Sequence, residues 1–379
     1  MKKFLRNHIP FLVMSFLLLL MIIFLIVISV LKQNVEIAEQ WTRTFGRDYA
    51  TAFGKFNENF AFSLTEISAI IVIISCVVFL SWGFCLLGNK NYWASINRFL
   101  MVTLVIIGAV TMYNASVAMA YERKALPIER YKGEIKKEEF KDVATYFVED
   151  LNKCVDELGL DDKGEIIAPY SNKELIVHLQ KEFERLDDDY YSSYTLKAKP
   201  LLTSGLFTTV GIVGMYFGDL GEANYSTFST NAELPFYIAH EMCHGKGVMR
   251  EDDAQLLATY ICLTSEDPYL RYSCYFNTLD RITDIVKLSD NKDEYKQVRN
   301  LISQKVWDNY NYIYYHWKGK AFLAEFGDKV NDWYLKTFGQ KEGTTSYQDT
   351  DTDVDDHGDV ISLSNYQSIY FKMYYDNKS

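Results

Sequence analysis

The chain of 379 residues is long enough for a membrane anchor together with one or two globular units. Its net charge of −11, without a basic tract rich in aromatic residues, argues against nucleic-acid binding. Its six cysteines form no CxxC pair, so the sequence predicts neither a disulfide framework nor a thiolate zinc site. Apolar residues make up 49% of the chain, and the long apolar runs are concentrated in its first third.

Three apolar segments in this first third predict membrane-spanning helices. Each lacks charged residues over about the 20 positions that a helix needs to cross a bilayer. A buried core helix can also be apolar all round, and Lys2 and Lys3 before the first segment would suit a cleaved signal peptide. Three such segments close together favour an anchor, and the first is longer than the apolar part of a signal peptide. We predict an anchor over residues 1–121, embedded in the lipid bilayer, with spans at about residues 9–31, 67–89 and 99–121.

Basic residues beside the spans predict the orientation. The segment before the first span carries Lys2, Lys3 and Arg6 without an acid, and the loop between the second and third spans is also basic. Both should therefore lie in the cytoplasm. Three spans then place the rest of the chain on the outer side of the cell membrane. Arg123, Lys124, Arg130 and Lys132, which follow the third span closely, weaken this prediction, because the acids interleaved with them contribute little to orientation.

The chain after the anchor divides by composition into two regions. Residues 122–200 are charged and show helical periodicity, which predicts a helical linker forming the N-terminal part of an extracytoplasmic domain. Residues 201–379 are rich in tyrosine and tryptophan and contain the candidate chemistry.

Polar and aromatic side chains alternate over residues 221–230, which predicts a strand. Such a strand could border a cleft and pair with an extended peptide substrate, or it could be an ordinary edge strand. Glu222 and Asn224 are the candidate substrate contacts on it.

Residues 240–244, His-Glu-Met-Cys-His, match the HExxH pattern. On a helix, positions i and i+4 lie on one face, so His240 and His244 can bind one metal ion. Glu241 is then placed beside a water molecule at the metal, where a carboxylate can act as general base. The alternative is a pair of partly buried histidines on an ordinary helix.

A zinc site built on two histidines needs a third ligand and an open position for water. Glu251 is the leading candidate, because Gln255 one turn later resembles the residue with which gluzincins orient a histidine. The interval from His244 is shorter than in gluzincins and closer to that of metzincins. Asp252 and Asp253 remain alternative ligands, and stabilisation of the helix dipole is an alternative role for these acids.

Arg271 and Tyr272 follow the acidic helix. A guanidinium or a tyrosine hydroxyl at such a position could stabilise the oxyanion of a tetrahedral intermediate. The chain contains 28 tyrosines, so a packing role is the alternative.

Short motifs occur in order along the chain at Phe62–Glu66, Gly221–Asn224, Glu233–Phe236, His240–His244, Gly247, Glu251–Ala254, Tyr272–Ser273, Tyr334–Lys336 and Gly339–Gln340. This ordered set resembles a family of bacterial membrane proteins known as domain of unknown function 3810. The resemblance covers nearly the whole chain and implies a membrane-anchored, zincin-like metallopeptidase without naming a substrate. The family usually shows Glu-Asp-Glu-Ala-Asn, whereas residues 251–255 of this chain read Glu-Asp-Asp-Ala-Gln.

The fold class predicted from the sequence is a membrane-anchored α+β protein. Three N-terminal transmembrane helices should precede a mainly helical zincin-like domain with a small edge sheet. We expect a zinc metallopeptidase in which Zn²⁺ is bound by His240, His244 and Glu251. Glu241 would activate water, and the substrate would be a protein or peptide. The alternatives are a non-catalytic membrane structural or sensory protein with a stabilising metal site, and a zinc amidase acting on cell-wall peptides.

Overall fold

The structure is a computed structural model, and it describes residues 2–289, 291–338, 340, 342–347, 352–354 and 360–378. Gly339, which belongs to one of the motifs above, lies outside the described residues. The chain divides into two units. The first comprises Met1–Ala125 and Phe217–Glu222, and the second comprises Leu126–Tyr216 and Ala223–Ser379.

The first unit is helical. Asn34 and Ser63 begin two of its helices by accepting hydrogen bonds from backbone N–H groups of the first turn. A π-helical turn spans Thr42–Gly46, and a 3-10 helix spans Ala118–Glu122. The α-helices are α1 (Lys2–Leu31), α2 (Val35–Trp41), α3 (Arg47–Asn57), α4 (Leu64–Gly88) and α5 (Tyr92–Ser116).

Three of these helices, α1 from His8 onward, α4 and α5, are long and apolar enough to cross a membrane. The third begins at Tyr92 and ends at Ser116, whereas the sequence predicted residues 99–121. That prediction started after Arg98 because a charged side chain is costly inside a bilayer. In the structure, the Arg98 guanidinium lies 3.9 Å from the centre of the Trp82 ring, which gives the cation an aromatic partner within the helix pair.

A buried ion pair in the first unit involves one of the basic residues that follow the third span. Arg123 Nε and Nη2 donate to the Glu39 carboxylate at 3.0 and 2.8 Å. Burial by itself raises the pKa of Glu39, but hydrogen bonds from Arg123 and Arg43 reverse this effect and bring the pKa to about 2. Lys124 Nζ lies 2.8 Å from the carboxylate of Glu36. Acids on α2 therefore pair with two of the four basic residues that weaken the predicted orientation.

The second unit is also mainly helical. Its first long helices are α6 (Phe140–Leu158) and α7 (Asn172–Glu184), and Ser171 and Glu174 form a capping box at the start of α7. Short 3-10 helices span Lys137–Glu139 and Gly343–Tyr347. The remaining helices are α8 (Ser204–Thr209), α9 (Leu234–Gly245), α10 (Glu251–Leu263), α11 (Pro268–Asn277), α12 (Leu279–Lys287), α13 (Lys292–Leu301), α14 (Gln304–Trp317), α15 (Ala324–Phe338) and α16 (Asn365–Lys378).

The core of the second unit is built around α6. Its buried apolar residues recur at helical spacing, among them Val143, Phe147 and Leu151, and α11, α12 and α13 pack against them. The sequence analysis treated residues 122–200 as a separate region because of their composition. In the structure, residues 126–200 belong to the same core as the helices that follow them.

A small sheet consists of β1 (Lys199–Pro200), β2 (Gly214–Phe217) and β3 (Glu222–Tyr225), in the order β1-β3-β2. β1 and β3 are parallel, with Lys199 opposite Asn224. The prediction of an edge strand at residues 221–230 is therefore wrong: only Glu222–Tyr225 form a strand, and this strand is central and buried. The alternating polar residues indicated a solvated face, but they are buried instead. Two further short strands, β4 (Asp353–Val354) and β5 (Val360–Ser362), pair antiparallel.

Candidate metal centre

The HExxH segment lies on α9, which starts with Pro235 in its first turn, where a proline costs no hydrogen bond. His240 and His244 are one helical turn apart, with ring centres 4.9 Å from each other. Both imidazoles are buried, so the helix presents two nitrogen donors to the interior of the second unit.

A short turn brings Glu251 to the two histidines. Gly247 has φ +89°, a left-handed conformation that favours glycine, and it lets the chain reverse between α9 and α10. Glu251 Oε2 lies 3.0 Å from His240 Nε2 and 3.6 Å from His244 Nε2. Ligand atoms of the three residues all lie within 4.8 Å of one another, and no other such group of potential metal ligands occurs among the described residues.

Electrostatics within this cluster are strong because all three groups are buried. Burial alone would raise the pKa of Glu251, but the imidazoles of His244 and His240 hold it well below its usual range. For His244, burial lowers the pKa, and the charges of Glu251 and Glu241 more than compensate, so that it rises to about 9. The cluster therefore holds a carboxylate and attracts positive charge, in the form of a proton or a metal ion.

The second ring nitrogen of each histidine has a different environment. His244 Nδ1 lies 2.8 Å from the carbonyl oxygen of Val248, so Nδ1–H can donate there while Nε2 faces Glu251. His240 Nδ1 is buried and has no hydrogen-bond partner among the described residues. Gln255 was predicted to orient an imidazole. The carbonyl of Val248 occupies that role for His244, and no side-chain contact connects Gln255 with either ring in the described part of the chain.

Glu241 is buried beside the cluster and faces β2. Burial, partly offset by the two histidines, raises its pKa to about 7, and the backbone N–H of Tyr216 donates to its carboxylate. Gly214 leaves the space that this carboxylate fills, since a Cβ atom there would lie 2.6 Å from Glu241 Oε1. A carboxylate with a pKa near 7 can both accept and return a proton at neutral pH.

The segment after α15 also borders the cluster. Gln340 Oε1 accepts a hydrogen bond of 3.4 Å from the backbone N–H of Glu251. The Tyr347 ring centre lies 6.4 Å from that of His240. Burial and then the carboxylates of Glu251 and Glu241 raise the pKa of Tyr347 well above its usual value. A neutral hydroxyl group, able to donate a hydrogen bond, therefore borders the cluster.

Asp252 and Asp253, the two alternative ligands predicted from the sequence, are not part of this cluster. Asp253 is paired with Arg250, whose Nε donates to its carboxylate at 2.7 Å. Asp252 is not part of the group formed by the two histidines and Glu251. Among the three acids that open α10, the structure thus brings only Glu251 to the histidines.

Arg271 and Tyr272, the candidate oxyanion donors, are engaged elsewhere. Arg271 Nε donates to Asp150 at 3.0 Å, and its Nη1 donates to the carbonyl of Ser265. The Tyr272 hydroxyl donates to Asn309 Oδ1 at 2.9 Å in a fully buried position. Both side chains therefore form contacts of α11 with neighbouring segments, which fits the packing role given above as the alternative.

Glu222 was proposed as a substrate contact, but its carboxylate binds the start of α4 within the first unit. It accepts hydrogen bonds from the backbone N–H groups of Leu64 and Thr65 at 3.1 and 2.9 Å. The hydroxyls of Ser63 and Thr65 donate to it at 3.2 and 2.7 Å. A carboxylate there balances the positive end of the helix dipole. This contact joins two of the motifs noted in the sequence, whereas Asn224 is buried in the central strand.

Sequence reasoning missed Gly214, Tyr216, Val248 and Tyr347. The first two lie on a strand of four residues without a distinctive pattern, and Val248 contributes only its carbonyl. Tyr347 is one of 28 tyrosines and comes close to the cluster only through tertiary folding.

The chain is thus a mainly helical protein with three helices able to span a membrane and a buried His-His-Glu cluster beside a second glutamate. It belongs to the family described as Protein of unknown function (DUF3810), whose model matches residues 49–350. No curated protein and no solved structure matches it.

Proposed function

We propose that this protein is a membrane-anchored zinc hydrolase that cleaves peptide bonds. The observation that carries the proposal is the arrangement of Glu241 beside the cluster of His240, His244 and Glu251. A site that only stabilises a fold does not need a further buried carboxylate with a pKa near 7 next to it.

The donor set fits a zinc ion. Two imidazole nitrogens and one carboxylate oxygen are the ligands of many catalytic zinc sites, which keep a fourth position for water or substrate. Val248 fixes His244 so that Nε2 is the available nitrogen. The ligand atoms of the three residues lie within 4.8 Å of one another, and the negative charge of Glu251 favours a cation beside it.

Zinc bound at such a site supplies Lewis acidity, which lowers the pKa of water to about 7. Glu241 is the residue that takes the proton from the attacking water and returns it to the leaving amine nitrogen. Tyr216 holds its carboxylate through the backbone N–H, and Gly214 leaves room for it. Tyr347, whose ring borders that of His240, is the residue that we propose donates a hydrogen bond to the oxyanion formed during attack.

The substrate-binding strand in this proposal is β2 rather than β3. β2 is an outer strand of the sheet, and Gly214 and Tyr216 on it border Glu241. An extended peptide could add to such a strand through main-chain hydrogen bonds, with its scissile bond directed at the cluster.

We also propose that the N-terminus lies in the cytoplasm and the second unit outside. The basic residues before the first span and around Lys90 support this orientation. Labelling of single cysteines in intact cells tests the orientation, and a second unit accessible only after lysis would contradict it.

The function is tested with the full-length protein in nanodiscs, loaded with one equivalent of zinc and incubated with a proteome-derived peptide library. New peptide termini are identified by mass spectrometry. We expect wild-type cleavage to stop with a chelator and return with zinc. Glu241→Gln should lower the rate by about 10²–10⁴-fold because it removes the general base. Glu266→Gln, at an exposed loop position, is the matched control and should cleave like wild type.

Three outcomes contradict the proposal. Cleavage by Glu241→Gln at the wild-type rate would remove the assigned general base. Absence of cleavage by the zinc-loaded wild type, with Glu241→Gln altering only thermal stability, would favour a non-catalytic membrane protein with a structural metal site. Hydrolysis confined to cell-wall peptides would favour the zinc amidase.

A further inference from the structure

α15 carries an apolar stripe on its surface, formed by Phe322, Phe326, Val330 and Trp333. The last three positions are four and three residues apart and so share one face of the helix. Phe322 lies in the turn two residues before the helix begins. Their exposed fractions are 71%, 61%, 46% and 65%. Exposed apolar stripes of this kind mark contact with a partner or a membrane, because they are costly in water.

A neighbouring helix extends this apolar surface. Leu323 donates its backbone N–H to the carbonyl of Thr209, at the end of α8, at 2.8 Å. Leu202 and Leu206, at the start of α8, are 53% and 67% exposed. Ile167 and Leu301 are isolated along the chain, and the exposed group Tyr310, Tyr314 and Tyr315 on α14 consists of tyrosines, which carry a polar hydroxyl.

Most of the charges beside the stripe are paired. Lys329 lies 2.8 Å from Glu325, and Lys336 lies 2.8 Å from Asp332. The flank of the stripe is therefore polar, and with the exposed Asp328 the helix carries a net charge of −1. An amphipathic helix with phenylalanine and tryptophan on one face and charged pairs beside it is suited to the boundary between lipid headgroups and acyl chains.

The chain connectivity keeps the second unit close to a bilayer. Only residues 117–125 separate the end of α5 from the second unit, a distance of about 30 Å at full extension. The chain also returns to the first unit at Phe217–Glu222, shortly after α8. The second unit therefore always has a bilayer within reach, because the three apolar helices of the same chain lie in it. Any other partner would have to be recruited.

We propose that the apolar stripe of α15 inserts into the interfacial layer of the bilayer in which the chain is anchored. The stripe is linked to the candidate metal centre, because α15 leads directly to Gln340, which contacts Glu251, and to Tyr347. If the proposed function holds, the substrates are polypeptides presented at the membrane surface; insertion itself does not depend on hydrolysis.

Spin labelling of the full-length protein in phosphatidylcholine nanodiscs tests the insertion. Cys76 and Cys85 are replaced by serine, because the remaining four cysteines are buried. A nitroxide is then attached at Val330→Cys or, as a matched control, at Val177→Cys. Val177 lies on α7 of the same unit and is 45% exposed, against 46% for Val330. Relaxation by oxygen, which concentrates in lipid, is compared with relaxation by a water-soluble nickel chelate.

The nitroxide at position 330 should respond to oxygen and not to nickel, with a depth of about 5–10 Å below the headgroup boundary. The nitroxide at position 177 should show the reverse. Adding Phe326→Ser and Trp333→Ser should restore nickel access at position 330. Because α15 has no excess of positive charge, replacing about a third of the lipid by phosphatidylglycerol should not increase the depth.

Nickel access at position 330 equal to that at position 177 would overturn the proposal. So would shielding from both reagents together with dipolar coupling between two copies in one disc, since that result identifies a second chain as the partner. The readout needs neither zinc nor a substrate. Failure of the insertion therefore leaves the proposed function intact, and failure of the proposed function leaves the insertion testable.

Discussion

Gly214→Ala tests the position of the Glu241 carboxylate and should leave the stability of the fold unchanged. A Cβ atom at position 214 would lie 2.6 Å from Glu241 Oε1, about 0.8 Å inside ordinary van der Waals contact. Gly214 is not among the residues with positive φ, so alanine fits the backbone and the flexible carboxylate must move instead. A displacement near 1 Å at a catalytic group costs about 100-fold in rate, or about 2.7 kcal/mol of transition-state stabilisation.

The assay compares kcat/KM of wild type and Gly214→Ala for one peptide selected from the library, together with zinc content and melting temperature. We expect kcat/KM to fall about 100-fold while zinc content and melting temperature stay the same. Gly205→Ala is the matched control. A Cβ atom there would meet Phe228 at 3.9 Å, and alanine in a helix is favoured over glycine by about 1 kcal/mol. Full activity in Gly214→Ala would refute the placement of Glu241, and loss of zinc would show that the glycine supports the metal site instead.

Three further substitutions test other contacts. Tyr347→Phe should lower kcat by about 10²-fold without loss of zinc, because one hydrogen-bond donor to the oxyanion is removed; unchanged kcat would exclude this role. Glu39→Gln should lower the stability of the full-length protein by about 3 kcal/mol at pH 7, because the low pKa of Glu39 reflects stabilisation by Arg123. That stability is present above about pH 4.5 and is lost as the pH falls toward 2, so the difference in melting temperature should narrow over this range; a constant difference would contradict the ion-pair explanation. Glu222→Gln should lower the free energy of unfolding by about 1 kcal/mol, and with it the melting temperature, because the start of α4 loses its carboxylate. Glu266→Gln serves as the control, and an equal melting temperature for the two would contradict the capping role.

The parts of the fold that depend on local pattern could be predicted from the sequence. Charge-free segments indicated all three long apolar helices, and the i, i+4 spacing indicated that His240 and His244 share a helix face. The start of the third helix at Tyr92 was missed because Arg98 was taken as the limit of the apolar segment, whereas in the structure it lies within the helix and contacts Trp82.

The parts of the fold that depend on tertiary contacts could not be predicted from the sequence. Glu222 looked like a residue of a solvated strand, yet its partners Ser63 and Thr65 lie more than 150 positions earlier in the chain. Arg271 looked available for catalysis, and only the fold shows that Asp150 binds it. The environment of Glu241 is likewise set by a strand that no sequence motif marks.

The metal content of the purified full-length protein tests the central claim most directly. After incubation with zinc and extensive dialysis, wild type and Glu241→Gln should each retain one zinc ion per chain by mass spectrometry of the metal. His240→Ala and Glu251→Ala should lose it, because each removes a ligand, whereas His316→Ala, an exposed histidine outside the cluster, should keep it. Retention of zinc by both ligand variants, or a wild type without zinc, would contradict the account.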